Sequence, residues 1–62
     1  MDKIMNTAYV EPPAAGLELG VTGQAVRNMI HRGELPALRV GRRFKIRRED
    51  LDAYLAGAMV VV

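Results

Sequence analysis

The chain has 62 residues, is 50% hydrophobic, contains no cysteine and carries a net charge of +2. This length excludes large two-lobed enzymes and repeat arrays, and the lack of cysteine excludes a disulfide framework, a thiolate zinc site and a cysteine nucleophile. The longest apolar run, 58–62, is far below the ~20 residues of a membrane-spanning helix, and the first residues lack the features of a signal peptide. We therefore expect one soluble, cytoplasmic domain over 1–62, with its core at about 9–56 and an apolar tail at 57–62.

The charged residues are segregated along the chain. The segment 27–48 contains eight basic residues and one acidic residue, whereas the rest of the chain contains one basic and six acidic residues. Seven of the eight basic residues are arginines, whose planar guanidinium group binds phosphates and guanine edges through paired hydrogen bonds. A solvated surface is the simpler interpretation of a charged run, but the arginine content favours a polyanionic partner.

The first predicted element is a short helix over 12–19. Proline is accepted at the first helical position because its missing N–H has no partner there in any helix. Ala15 and Leu19 form the inward face at a spacing of four, and Gly20 stands where helices commonly end in a left-handed residue. Gly16 weakens this helix by roughly 1 kcal/mol relative to alanine, so the helix depends on its packing.

A second helix is predicted over 22–32, with Thr22 as its N-cap and Gly33 after its end. One face is apolar at helical spacing and the opposite face is polar. The apolar face consists of Ala25, Val26, Met29 and Ile30, and the polar stripe consists of Gln24, Arg27, Asn28 and His31. Two short helices separated by a tight turn predict a helix-turn-helix.

Beyond the second helix the apolar period changes from 3.6 to 2, which predicts a two-stranded antiparallel β-hairpin. With Val40 opposite Phe44 and Leu38 opposite Ile46, all four apolar side chains share one face and 41–43 form a three-residue loop. The outward face and the tip of the hairpin are then entirely basic, comprising Arg39, Arg42, Arg43, Lys45 and Arg47.

A third helix is predicted to start near Arg48 and to end at Gly57. Glu49 and Asp50 in its first turn suit the positive end of the helix dipole. Its inward face consists of Leu51, Tyr54 and Leu55. Together the elements predict a small α+β winged helix-turn-helix with three short helices and a two-stranded β-hairpin as the wing.

The chain contains RGELPALRVGRRFKI at 32–46 and EDLDAYL at 49–55, after GVT at 20–22 and AV at 25–26. With these motifs, residues 9–56 resemble the excisionase-type, MerR-like winged-helix family. The resemblance implies binding to duplex DNA, with the second helix in the major groove and the wing along the backbone or minor groove.

The candidate DNA-binding residues lie on the second helix and on the wing. Arg27 suits a guanine edge, and Gln24 or Asn28 suits an adenine edge. Thr22 with the helix N-terminus suits a phosphate, as does His31, although simple solvation is the favoured interpretation of this histidine. The wing residues suit the DNA backbone or a narrow minor groove and are Arg39, Arg42, Arg43, Lys45 and Arg47.

The resemblance favours the function of a phage or mobile-element excisionase, a recombination directionality factor. Its copies are then expected to bind adjacent DNA sites, bend the DNA and assist an integrase. A minimal transcriptional regulator with the same domain is the alternative, and an adaptor for RNA or for an acidic protein is a third hypothesis. The apolar segment 58–62 has two interpretations. It mediates contact between copies, or, more simply, it is a frayed terminus.

The chain shows no motif for catalysis. A nucleophile with an adjacent base, a phosphate-binding loop and a set of metal ligands are all missing from the sequence pattern. We therefore expect no enzymatic activity, no cofactor and no metal site.

Overall fold

The computed structural model describes residues 8–58, which form three helices and a three-stranded antiparallel sheet. The predicted α+β winged helix-turn-helix is thereby confirmed. Most of the predicted apolar tail, residues 59–62, lies outside the described residues. In chain order the elements are β1 (Tyr9–Val10), α1 (Pro12–Leu19), α2 (Gly23–His31), β2 (Leu38–Val40), β3 (Arg43–Arg47) and α3 (Arg48–Gly57).

The turn between α1 and α2 is formed as the sequence predicts. Gly20 adopts a left-handed conformation with φ of 78°. The N–H groups of Gly20 and Val21 both donate to the carbonyl of Gly16, at 2.8 and 2.9 Å. The hydroxyl of Thr22 then caps α2 by accepting from the N–H of Ala25 at 3.0 Å. Both helix ends are therefore satisfied locally, and three residues separate α1 from α2.

The core lies between the three helices and the inner face of the sheet. Its fully buried side chains are aliphatic, as the low aromatic content requires. The predicted inward faces of α1 and α3 are confirmed, and so is that of α2 except for Ala25, which is half-buried outside the core cluster. Leu19, Ile30, Tyr54 and Leu55 are partly buried and pack against this core. The buried hydrophobic residues of this core are Val10, Ala15, Val26, Met29, Leu35, Ile46 and Leu51.

The sheet has one strand more than the sequence predicts, because β1 pairs antiparallel with β3. Tyr9 lies opposite Arg47 and Val10 opposite Ile46. The N–H of Arg48 continues this pairing by donating to the carbonyl of Ala8 at 2.8 Å. A strand of two residues is too short for an alternating pattern to reveal it. Val10 of this strand is buried against the core. The sequence did not predict this third strand, whereas the predicted two-stranded hairpin is present as β2 and β3.

The predicted register of the wing is wrong, by one residue, because the turn contains two residues rather than three. These are Gly41 and Arg42, and Gly41 has a positive φ of 63°. A left-handed residue at the first of two loop positions is typical of a type II′ turn, whose twist matches that of a hairpin. The observed pairs are Leu38↔Lys45, Arg39↔Phe44 and Val40↔Arg43.

This register separates the four apolar side chains that were predicted to share a face. Directly paired residues of an antiparallel sheet project to the same side. Leu38 and Val40 therefore lie on the outer face, where they are 46% and 58% exposed, whereas Phe44 and Ile46 lie on the inner face. Arg39 is paired with Phe44 and shares its side, so its predicted place on the outward basic face is wrong as well.

Candidate nucleic-acid interface

The exposed face of α2 presents three of the predicted polar side chains. Gln24, Asn28 and His31 are all exposed. The amide Nε2 of Gln24 donates to Oδ1 of Asn28 at 3.1 Å, which aligns the two amides along one side of the helix. Each amide keeps a further donor or acceptor outside this bond. The pair can therefore form hydrogen bonds with a base edge while remaining ordered.

Arg27 is half-buried and lies in a cleft beside the wing rather than on the fully exposed face of α2. The cleft has a volume of about 240 Å³ and separates the start of α1, the middle of α2 and the turn of the wing. Three of its lining residues are arginines, contributed by α2 and by the wing, so it is a concave basic surface. The residues that line it are Glu11, Pro12, Pro13, Arg27, Arg42, Arg43 and Phe44.

Phe44 connects the wing to the end of α2. The ring of His31 meets the ring of Phe44 edge to face, with centroids 5.5 Å apart and planes at 84°. The guanidinium carbon of Arg39 lies 5.9 Å from the Phe44 centroid, and Nε of Arg39 donates to the carbonyl of Gly41 at 3.2 Å. The His31–Phe44 contact joins the wing to the end of α2, whereas both Arg39 contacts lie within the wing. The wing therefore lies beside α2, and the two elements form one continuous surface.

Two wing cations are paired with a carboxylate that sequence analysis did not single out. Oε2 of Glu11 accepts from Nζ of Lys45 at 3.1 Å and from Nη1 of Arg43 at 3.5 Å. The hydrogen bond and charge of Lys45, with a smaller contribution from Arg43, hold the pKa of Glu11 below its usual value. Only the β1–β3 register brings Glu11 to these cations, and no local pattern in the sequence indicates that register.

The basic residues at the junction of the wing and α3 are engaged with helix carboxylates. Nε of Arg47 donates to Oδ2 of Asp50 at 3.1 Å, and Nη1 of Arg47 is 3.8 Å from a carboxylate oxygen of Glu49. Arg48 holds Glu18 through two hydrogen bonds of 2.7 and 2.8 Å. These arginines join secondary-structure elements, and the DNA contact of Arg47 stays a prediction.

The predicted site residues thus fall into three groups. Arg27, Arg42 and Arg43 meet at the cleft, and among residues 8–58 neither Arg27 nor Arg42 forms an ion pair. Gln24, Asn28 and His31 occupy the exposed face of α2, where Thr22 caps the N-terminus. Lys45, Arg39 and Arg47 are each held by a partner within the domain.

Comparison with known families gives one match. A family model described as a helix-turn-helix domain matches residues 14–59, which include most of α1, all of α2, the wing and α3. Comparisons with curated proteins and with solved structures gave no match. Within residues 8–58, no cluster of three or more metal-binding side chains occurs. None of the described helices is long and apolar enough to cross a membrane.

Proposed function

Because the chain belongs to the helix-turn-helix domain family, whose second helix enters the major groove of DNA, we propose that it is an excisionase-type recombination directionality factor. In this proposal α2 lies in the major groove and the wing lies on the backbone or in the minor groove. The observation that carries the proposal is the cleft in which Arg27 of α2 meets Arg42 and Arg43 of the wing. Cations from both elements thereby face one region of space. No catalytic step is part of the proposal.

The roles of the individual side chains follow from their chemistry and placement. Asn28 and Gln24 on the exposed face of α2 suit the donor and acceptor pair of an adenine edge, and Arg27 suits guanine. Thr22 and His31 at the two ends of α2 suit phosphates. On the wing, Arg42 is the cation nearest to the tip and suits the backbone or a narrow minor groove.

A directionality factor is favoured over other DNA-binding roles by the excisionase-like motif at 32–46 and by the small size of the contact surface. A single module of this size buries only ~600–1,000 Å² on DNA, which limits the specificity of one copy. Several copies on adjacent sites, together with an integrase, supply the missing contacts. Bending of the DNA by these copies brings distant integrase sites together.

The proposal is tested by selecting binding sites from a pool of random duplexes at moderate salt, with the full chain as bait. We expect a short motif in closely spaced direct repeats, because copies of a directionality factor bind side by side. An isolated or inverted motif contradicts the excisionase role and favours a minimal transcriptional regulator. Failure to retain any duplex contradicts DNA binding itself.

The division of roles between α2 and the wing is tested by two alanine variants measured on the selected site and on random duplex. Arg27→Ala should cost about 1–3 kcal/mol on the selected site and relax its sequence preference, because a base contact is lost. Arg42→Ala should weaken binding to both duplexes and flatten the dependence of log K on log salt by about 0.9, because a phosphate contact is lost. Equal losses from both variants on both duplexes would contradict this division.

A further inference from the structure

The carboxylate of Glu11 occupies a position that is unusual for an acidic residue on a DNA-binding surface. It lines the basic cleft together with Arg43. A single oxygen of Glu11, Oε2, accepts from Arg43 and from the neighbouring Lys45. We propose that Glu11 takes the place of a DNA backbone phosphate in the free protein, and that a phosphate displaces it from these two cations on binding. The inference rests on the proposed DNA-binding function and adds to it a residue that limits the affinity of the wing.

The fold holds Glu11 in this place without needing its carboxylate. Pairing of Tyr9 with Arg47 and of Val10 with Ile46 brings the next residue of the chain alongside Lys45. Glu11 is also the N-cap residue of α1, but its side chain makes no capping hydrogen bond. The backbone therefore determines where Glu11 lies, and its carboxylate interacts with the wing cations instead of the helix end.

The chemistry of the site suits exchange of one anion for another. A carboxylate and a phosphodiester each carry one negative charge and present oxygens that only accept hydrogen bonds. The side chain of Arg43 is 74% exposed, and those of Glu11 and Lys45 are 39% and 35% exposed, so water reaches and screens both ion pairs. Arg42 and Arg27 line the same cleft and add positive charge around the incoming phosphate.

Displacement of an internal anion has a defined consequence for affinity. Each duplex that binds must first separate Glu11 from Lys45 and Arg43, irrespective of base sequence. Glu11 therefore weakens binding to all DNA. Occupancy of a DNA site by the protein then depends more strongly on the base contacts of α2 and on neighbouring copies of the protein.

The test compares Glu11→Gln with wild type on random-sequence duplex over a range of salt concentrations. We expect the variant to bind about threefold to tenfold more tightly, because Lys45 and Arg43 no longer have a competing carboxylate. The slope of log K against log salt should be steeper by up to about 0.9, because in wild type the displaced carboxylate stays beside the site and offsets the charge of one cation. Glu11→Ala should give the same gain, which keeps the test decisive if one variant folds poorly by circular dichroism.

Glu18→Gln is the matched control. It changes the net charge equally and also removes a carboxylate that is paired with an arginine, Arg48, but Glu18 does not line the cleft. We expect less than about a twofold change in its affinity, since only the screened long-range field is altered. In a background with Lys45→Met and Arg43→Met, the gain from Glu11→Gln should fall to the level of this control.

The outcomes separate this inference from the proposed function. If wild type binds duplex but Glu11→Gln and Glu18→Gln have equal affinities, the role of Glu11 is contradicted while DNA binding stands. A gain that persists without Lys45 and Arg43 also contradicts it. If neither wild type nor any variant binds duplex, the proposed function is overturned together with the inference.

Discussion

At the scale of single residues, Gly16 is the described glycine at which a side chain would meet the closest backbone contact. It lies inside α1, where glycine normally weakens a helix, yet its α-carbon faces the turn that leads into α2. A β-carbon at this position would lie 2.5 Å from the carbonyl oxygen of Val21 and 3.1 Å from the carbonyl carbon of Thr22. Both contacts are with backbone, which cannot rotate away as a side chain can. The close approach of α1 to the turn therefore requires glycine.

We expect Gly16→Ala to destabilise the domain by about 1–3 kcal/mol, the usual cost of forcing extra atoms into a packed site. Gly57→Ala is the control, because a β-carbon there meets nothing within 4 Å. At Gly57 the higher helix propensity of alanine should raise stability by up to about 1 kcal/mol. Urea unfolding of both variants measures the difference, and equal stabilities would contradict the close contact.

At the scale of secondary-structure elements, the wing is anchored through one of its two strands, because β3 pairs with β1 and buries Ile46 in the core. The inner face of β3 is covered because Ile46 is fully buried and its neighbour Val10 is nearly so. On the outer face, Leu38 and Val40 remain 46% and 58% exposed. A hairpin of two strands is marginally stable alone, so the third strand and the core hold the wing in place.

Two valine-to-alanine substitutions test this arrangement. Val10→Ala should destabilise the domain by about 1.5–2.5 kcal/mol, because it removes buried methyl groups from the junction of β1 and the core. Val40→Ala removes the same atoms from an exposed position and should change stability by less than about 0.5 kcal/mol. Thermal or urea unfolding compares them. A larger loss from Val40→Ala would favour the three-residue loop and the register in which Val40 lies inward.

At the scale of the whole molecule, ion pairs join parts of the chain that are far apart in sequence. Arg48 at the start of α3 pairs with Glu18 of α1, and Lys45 of β3 pairs with Glu11 at the end of β1. In both cases a residue from the acidic parts of the chain meets one from the basic segment 27–48. The positive charge of the segment 27–48 is thus partly neutralised in the folded molecule. Arg27 and Arg42 in the cleft beside α2 form no ion pair among residues 8–58.

The Glu18–Arg48 pair should make stability depend on pH in the acid range. The hydrogen bond from Arg48 lowers the pKa of Glu18 in the folded state. A lowered folded-state pKa contributes stability above the unfolded value of about 4.3, and that contribution is lost as pH falls through the folded value. We expect Glu18→Gln to be less stable than wild type at neutral pH and the difference to shrink at about pH 3.

Urea unfolding of both proteins at neutral pH and at about pH 3 measures this difference. The control is the Arg48→Met background, in which Glu18→Gln should have no such pH-dependent effect because the partner cation is absent. A constant difference between wild type and Glu18→Gln at both pH values would show that the pair does not determine the acid sensitivity.

Much of the candidate site was predictable because it depends on local geometry. The polar stripe of α2 follows from helical periodicity, and the basic residues of the wing follow from their position around a glycine turn. The grouping of Arg27 with Arg42 and Arg43 was not predictable, since it depends on how the wing packs beside α2. The pairing of Glu11 with the wing was missed for the same reason, as it requires a strand of two residues that leaves no periodic pattern.

The sequence by itself determined the helices, their caps and the order of the elements. Helix hydrogen bonds link residues four apart, and Thr22 and Gly20 act on their immediate neighbours, so all the necessary information is local. Only the tertiary structure decided the third strand, the wing register and the partners of the basic residues. The third strand and the ion pairs of Glu11 and Glu18 depend on contacts between residues 30 or more positions apart. The wing register is closer in sequence, but there the twist of the Gly41 turn outweighed the alternating pattern of the wing.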